Sequence, residues 1–401
     1  MGAIEFLCDI RFHRTLILPP NPETGRPKYR LSYADFGDSN SDAVVLFCGA
    51  LMGMRLCYSP LDQLAKAHGV RIIHPDRPGI GGSDPVEQSE RIPMWLEMIP
   101  HLLSHLKISH VSITSHSGGM IYALNTMLTY PHLLHPTNPY VTFFAPWVHP
   151  SHSGVTHMRA AELLPAPLIG RFMSVARFVN KNVMPLAGLS SSFLHGIKDS
   201  FLRSNSTPAP IPLDPSSLSP TASRTSSQSP AELNFDSPAV VEELRQLIIS
   251  YLFAESTDGI SADAKLFLKR PSSTTWCSPS VFWSDVDYAV ALLSKIIEEE
   301  KGASNNPRKW IIESFHGETD DMVGEKGRTW FDSCWTPSGS SSSNLSGART
   351  GSARNENSTG FEYRSEVVPG SEHNYLMDPA YGASEGWLRR VREAFLMLEE
   401  V

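Results

Sequence analysis

The chain of 401 residues has no apolar run of the roughly 20 residues that a membrane-spanning helix needs. It has five cysteines, Cys8, Cys48, Cys57, Cys277 and Cys334, with no C-x-x-C pair among them. An odd, scattered set of this kind reads as free thiols in a reducing compartment, not as a disulfide framework. Positive charge is also in short supply. With 34 Lys and Arg against 42 Asp and Glu the net charge is −8, which argues against a nucleic-acid polyanion as partner. The opening MGAIEFLCDIRFHRTL has no basic stretch followed by an apolar one and carries Glu5 and Asp9, while Phe6 stands where an N-myristoylation signal wants Ser or Thr. The expectation is a soluble, cytoplasmic protein without a stable membrane span. Internal repeats are lacking too. Hydrophobic residues make up 41%, enough for a large core.

What is present is an alternation of strands and helices. YRLSYADFG (29–37) alternates like a strand, and VVLFCG (44–49) and VRIIHPD (70–76) read as buried parallel strands. RIPMWLEMIPHLLSHL supplies a helix in which Pro100 is expected to make a kink, and YVTFFAPWV (140–148) is the next strand. Such alternation predicts an α/β protein with a mostly parallel, twisted sheet flanked by helices. After Pro150 the pattern turns helical, with pieces such as RFMSVARFVNKNV and AVVEELRQLIISYLFAE. The sheet rhythm resumes at KWIIESFHG (309–317) and again at YRSEVVPG (363–370), and SEGWLRRVREAFLMLEEV closes the chain as an amphipathic helix. Two stretches, about 204–238 (Ser/Pro/Thr) and about 337–360 (Ser/Gly/Asn), lack the apolar content to order themselves. The organisation expected is a core of 1–150 and 306–401 interrupted by a helical insertion over 151–305.

Within the core, VSITSHSGGMIYALNTML (111–128) places Ser117 where an apolar strand ends and a helix begins. Taken alone, Ser117 also reads as the N-cap of that helix. A catalytic serine requires a base, a carboxylate to orient the base, and N–H donors for an oxyanion. Candidates stand just beyond two later strands. The acidic turn after Phe315 contains Glu318, Asp320 and Asp321, and His373 follows a strand and a turn glycine. Either alone is an ordinary turn residue; the order Ser…Asp…His, each past a strand, is the informative feature.

These segments resemble the α/β-hydrolase fold superfamily, of the serine-esterase type with a helical cap. SHSGG is similar to the nucleophile elbow G-x-S-x-G, with Ser115 in place of the first glycine. HGETDDMV resembles the family's acid loop, which implies Asp320 as the acid, and GSEHNYL its histidine loop, which implies His373 as the base. PDRPGIGGSD (75–84) resembles the family's Asp-x-Pro-Gly-x-Gly-x-Ser turn, taken here as a structural signature carrying no chemistry. The resemblance implies an oxyanion hole from the N–H of Gly118 and of Ala50, or failing it Leu51, in the loop after VVLFCG. The family usually shows His-Gly there and this chain has Cys48-Gly49; backbone donors do not depend on that side chain, whereas the hydrogen bonding that normally stiffens the loop does. Dehalogenases and epoxide hydrolases of this fold use an Asp nucleophile, which the elbow lacks.

Rival readings fit less well. As a phosphate-cradling loop, Gly79-Ile80-Gly81 is followed by Asp84 where a third glycine is needed. His149, His152 and His157 match no helix-borne metal pair, and no cofactor or metal is expected. Cys48 has no basic neighbour before Arg55 to activate it. The resemblance implies hydrolysis of a carboxylic ester, thioester or lactone through an acyl-enzyme on Ser117. A non-hydrolytic protein reusing the pocket, and a C–C hydrolase or acyltransferase using the same triad, are the alternatives. Leu51 and Trp147, with Phe172, Phe178, Phe193, Leu194, Tyr251 and Phe253 of the insertion, are the candidates for contacting an apolar group on a small-molecule substrate.

Overall fold

A computed structural model of the chain describes residues 2–171, 232–303, 307–336 and 360–396. Phe172, Phe178, Phe193 and Leu194, the helix expected at RFMSVARFVNKNV, most of the Ser/Pro/Thr tract and the Ser/Gly/Asn insert lie outside the described residues.

The chain begins with a short helix, α1 (Ala3–Leu7), and then lays down β1 (Arg14–Leu18), β2 (Tyr29–Gly37) and β3 (Val44–Cys48). Helix α2 (Asp62–Ala67), β4 (Arg71–Pro75), α3 (Arg91–His105), β5 (Ser112–His116), α4 (Gly119–Thr129) and β6 (Tyr140–Phe144) follow. Between β6 and β7 (Trp310–Gly317) stand α5 (Thr156–Glu162), α6 (Ala166–Ile169), α7 (Pro238–Ala254), α8 (Asp258–Phe267) and α9 (Val286–Ala303). The core ends with α10 (Gly324–Trp335), β8 (Phe361–Val368) and α11 (Ala383–Leu396).

The eight strands form one sheet in the order β1-β2-β4-β3-β5-β6-β7-β8. Strands β1, β2 and β4 pair antiparallel, and from β4 to β8 every pairing is parallel. Every residue of β3, β5 and β6 is buried, the signature of strands covered on both faces. Strand β1 was not legible in the opening stretch, because at the sheet's edge most of its residues are exposed and no alternation marks it. Helix α3 continues through Pro100 to His105. The Leu96 carbonyl, which a proline at 100 leaves without its helical donor, accepts instead from Tyr130 Oη at 3.0 Å.

Because β6 and β7 are adjacent and parallel, the helical insertion leaves at the carboxyl end of β6 and the chain returns through α9 to the amino end of β7. Charged groups tie it down. Glu255 accepts from both terminal nitrogens of Arg55 at 2.6 Å, and the wholly buried Asp263 of α8 meets Arg77 and Arg91. The Ser/Pro/Thr tract also ends earlier than expected. Leu233 is buried, its carbonyl accepts from Gln63 Nε2 at 2.8 Å, and Phe235 packs edge-on to Phe6. These two apolar side chains give 232–238 something to bury.

Helix α11 is docked on the sheet by a polar row in an otherwise apolar layer. Thr114, Thr142, Glu313 and Arg364 are paired across β5 to β8, so their side chains share a face. Trp387 Nε1 donates to Thr114 Oγ1 at 3.0 Å, and Glu313 accepts from Arg390 Nε at 2.8 Å and from Tyr140 Oη. Trp387 is fully buried against Phe47 and Phe144. Replacing it by alanine is expected to lower unfolding free energy by about 3–5 kcal/mol in denaturant melts, since the emptied volume lies between a rigid sheet and its helix. A loss under about 1 kcal/mol would mean that α11 is not anchored there.

Candidate active site

Ser117 follows β5 directly and adopts a φ of +51°. Its N–H donates to Phe144 O at 2.9 Å, which pins the turn to the end of the neighbouring strand. Gly118, the residue after it, has an ordinary helical φ of −59°, so the turn does not require a glycine there for its backbone angles. What Gly118 provides is room. A Cβ there would meet the Phe267 ring at 2.0 Å, and a Cβ on Gly119 would meet Cys48 O at 2.1 Å. The first glycine admits a side chain from the insertion, and the second lets α4 start hard against the loop after β3. The N-cap of α4 is Gly118, so the Ser117 hydroxyl is not used as the helix cap.

The Ser117 hydroxyl instead faces His373 Nε2 at 2.8 Å, and His373 Nδ1 lies 2.7 Å from Asp320 Oδ2. The other Asp320 oxygen accepts from the N–H groups of Met322 and Val323 at 2.9 and 2.8 Å. Of the three acidic residues in this turn, Asp320 alone meets the imidazole. Glu318 accepts from Gly370 N at 2.7 Å, joining the acid loop to the histidine loop, and Asp321 lines the cavity.

Burial works to raise the Asp320 carboxyl, but the charge and hydrogen bond of His373 and the two backbone donors overcome it and hold the carboxyl below its usual range. Burial likewise disfavours a charged His373, and the carboxylates of Asp320 and then Asp321 outweigh it, so the ring titrates above the ordinary 6.5. Cys48 is fully buried and burial drives its thiol well above the ordinary range, which leaves it inert.

A second set of side chains, not anticipated from the sequence, locks the surrounding loops. His116, between the two small residues of the elbow, faces His373 O with Nε2 at 2.9 Å and Tyr58 Oη with Nδ1 at 2.9 Å. A carbonyl only accepts, so Nε2 carries the proton, Nδ1 accepts from the Tyr58 hydroxyl, and Tyr58 Oη in turn accepts from Ala50 N at 2.9 Å. Burial, then the charge that His373 can carry beside it, pushes the His116 imidazole down to about 4, so it stays neutral. The tyrosine is the feature that sequence reasoning could not reach, since it lies in a 3₁₀ segment, Arg55–Leu61, with no motif of its own.

This chain bears on the oxyanion donors. Ala50, the first choice, has its N–H committed to Tyr58. The N–H groups of Leu51 and Gly118 have no partner among the described residues. Arg77 donates to Gly49 O, to Ala50 O at 2.7 Å and to Leu51 O at 2.9 Å, supplying the bonding that Cys48 cannot. The Asp-x-Pro-Gly turn taken as purely structural thus reaches into the site.

Above Ser117 opens a cavity of about 1000 Å³. Leu51 and Trp147 line it, together with Leu164, Ile248, Phe267 and Met377. Tyr251 and Phe253 pack against the core instead. Of the three histidines considered for a metal, His157 lines the cavity, His149 bonds Ser151 Oγ at 2.8 Å, and His152 stacks on Trp330 at 3.6 Å.

No protein-family model and no curated protein sequence matches the chain. Solved structures do. The haloalkane dehalogenase DatA from Agrobacterium tumefaciens C58 aligns with a TM-score of 0.51 at 14% identity, covering 96% of this chain and 99% of that one. A putative aryl esterase from Burkholderia cenocepacia aligns at 0.49 with 14% identity, over 96% and 98% of the two chains. The enol-lactonase from Burkholderia xenovorans LB400 aligns at 0.49 with 9% identity, over 92% and 97%. At such identities the likeness concerns the fold. In strand order, in the turn that carries Ser117 and in this likeness, the chain has the α/β-hydrolase fold.

Proposed function

We propose that the protein is a serine hydrolase that cleaves a carboxylic ester, thioester or lactone through an acyl-enzyme on Ser117. The observation that carries this reading is the unbroken line from Ser117 Oγ to His373 at 2.8 Å and from His373 to Asp320 at 2.7 Å, at the floor of an apolar cavity. In the resting site the Ser117 hydroxyl donates to Nε2, and Nδ1–H donates to Asp320, which selects the tautomer that leaves Nε2 free to accept. As Oγ attacks the carbonyl carbon, its proton passes to Nε2. The negative charge that develops on the carbonyl oxygen meets the N–H groups of Gly118 and Leu51, which have no partner among the described residues. Nε2–H then protonates the departing alkoxide or thiolate. A water molecule, deprotonated by the same nitrogen, releases the acid and returns the proton to Ser117.

The helical insertion acts as a cap that sets substrate choice. Its contribution to the cavity is mostly Leu, Ile, Ala and Phe, and charged groups such as Asp321 and the Arg245–Asp378 pair form only part of the wall. An acyl or alcohol group without charge fits such a surface. Because each buried methylene contributes about 0.8 kcal/mol, kcat/KM on 4-nitrophenyl esters is expected to rise by up to about fourfold per added carbon from acetate to octanoate. A series that falls steadily from acetate would refute an apolar acyl site.

Ser117→Ala and His373→Ala should each lower kcat on an activated ester by roughly 10⁴–10⁶, with the double variant scarcely worse, because the two act as a unit. Their melting temperatures should stay near that of the native chain. Turnover retained in Ser117→Ala would sink the hydrolase reading. The base works only when neutral, and Asp320 stabilises its charged form. Activity should therefore rise with pH through a midpoint above 6.5, and Asp320→Asn should move that midpoint down while lowering the plateau. A rate independent of pH between about 5 and 8 would remove His373 from the role of base.

A further inference from the structure

The loop after β3 must present one N–H to the developing oxyanion, and no side chain at Cys48 can hold it in place. The guanidinium of Arg77 does so. Nη1 donates to Gly49 O, and Nη2 donates to Ala50 O at 2.7 Å and to Leu51 O at 2.9 Å. In a planar trans peptide the C=O of one residue and the N–H of the next point in opposite directions. Drawing Gly49 O toward Arg77 therefore turns the Ala50 N–H away from it, and that N–H is found on Tyr58 Oη. Drawing Ala50 O the same way turns the Leu51 N–H away, toward the cavity that Leu51 lines.

Arg77 has its own support from the helical insertion. Its Nε donates to Asp263 Oδ2 at 2.6 Å, and the other oxygen of Asp263 takes Arg91 Nε at 2.8 Å, Arg91 Nη2 at 2.6 Å and the Tyr122 hydroxyl. Asp263 is completely buried, and both arginine side chains are 1% exposed. Arg91 is further fixed by donating Nη1 to Pro78 O at 2.8 Å, and Tyr122 belongs to α4, the helix that begins behind Ser117. One carboxylate of the insertion thus meets the turn after β4, the start of α3 and the elbow helix.

We propose that Arg77 is the positioning residue of the oxyanion loop and that Asp263 locks it, so that α8 of the helical insertion is a working part of the oxyanion site and not a detachable cover. This rests on the hydrolase reading for the chemistry, though the mechanical link from Asp263 to the loop does not. Arg77→Lys keeps the charge but cannot span three carbonyls and a carboxylate. Asp263→Asn keeps the shape but leaves two buried guanidinium groups without their counter-charge.

In the full chain, each variant should lose about 10²–10³ in kcat on an activated ester, the size of effect seen when an oxyanion donor is removed, with KM within about threefold. Affinity for an alkyl trifluoromethyl ketone, which forms a tetrahedral adduct on Ser117, should fall by the same factor as kcat. Binding of the matching alkyl alcohol should not change. A purely structural role would lower the amount of active enzyme without separating these affinities. Gly53 N donates to Ala50 O at 2.7 Å, so, independently of turnover, hydrogen exchange at Ala50 and Gly53 should be slow in the native chain and at least tenfold faster in either variant, with the β5 amides unaffected. Fast exchange at Ala50 and Gly53 in the native chain, or unchanged exchange in the variants, overturns the proposal. So does an Arg77→Lys enzyme with native kcat. An absence of Ser117-dependent turnover in the native chain overturns the hydrolase reading instead, and the exchange data still judge the link.

Discussion

Ser117 is held at a φ of +51°, a region that side chains with a Cβ avoid at a cost of roughly 1–3 kcal/mol, and most of what surrounds it follows from keeping it there. The strain is tolerated because the turn is bonded on both sides. Its N–H reaches Phe144 O of the next strand, and its carbonyl accepts from Met120 N at 3.1 Å inside α4. Gly119 must be bare so that α4 can begin against the Cys48 carbonyl, which brings the loop carrying Leu51 to the same point in space. Gly118 must be bare for a different reason, the Phe267 ring of the insertion. The geometry of one residue thereby sets the spacing of two strands, one helix and one element inserted far along the chain.

Buried charge is the second organising feature. Asp263 with Arg77 and Arg91, and Asp76 and Glu255 with Arg55, are desolvated groups whose mutual attraction offsets the loss of water only because each oxygen and nitrogen finds a partner. Such networks contribute little net stability compared with apolar packing, but removing one member strands the others. They therefore specify one arrangement of the insertion on the core. An insertion held only by leucines could slide; one held by Asp263 cannot move without exposing two unpaired guanidinium groups.

Around Ser117, Asp320 and His373 the same low-polarity surroundings separate two histidines. His373 lies beside Asp320 and is biased toward its charged form, while His116, a few ångströms away with no carboxylate partner, is kept neutral by burial. One ring can cycle a proton, and the other serves as a fixed strut between Tyr58 and the His373 carbonyl. Environment, not residue type, separates the roles.

Residue patterns alone determined the alternation of β5 and α4 about Ser117, the fully buried strands β3 and β6, and the order of Ser117, Asp320 and His373 past successive strand ends. These are local properties: periodicity reports burial, and turn residues report where a strand stops. Edge strand β1 escaped because exposure erases periodicity, and the burial at 232–238 escaped because two apolar residues, Leu233 and Phe235, suffice to anchor that stretch. The contact of Asp320 with His373, the commitment of the Ala50 N–H to Tyr58, and the reach of Arg77 from a turn to another loop were decided only by the tertiary structure. Each depends on groups between 8 and 53 residues apart in the chain meeting at one distance. No spacing in the sequence encodes such a meeting, because the sheet order and the docking of α8 must exist before the partners are neighbours.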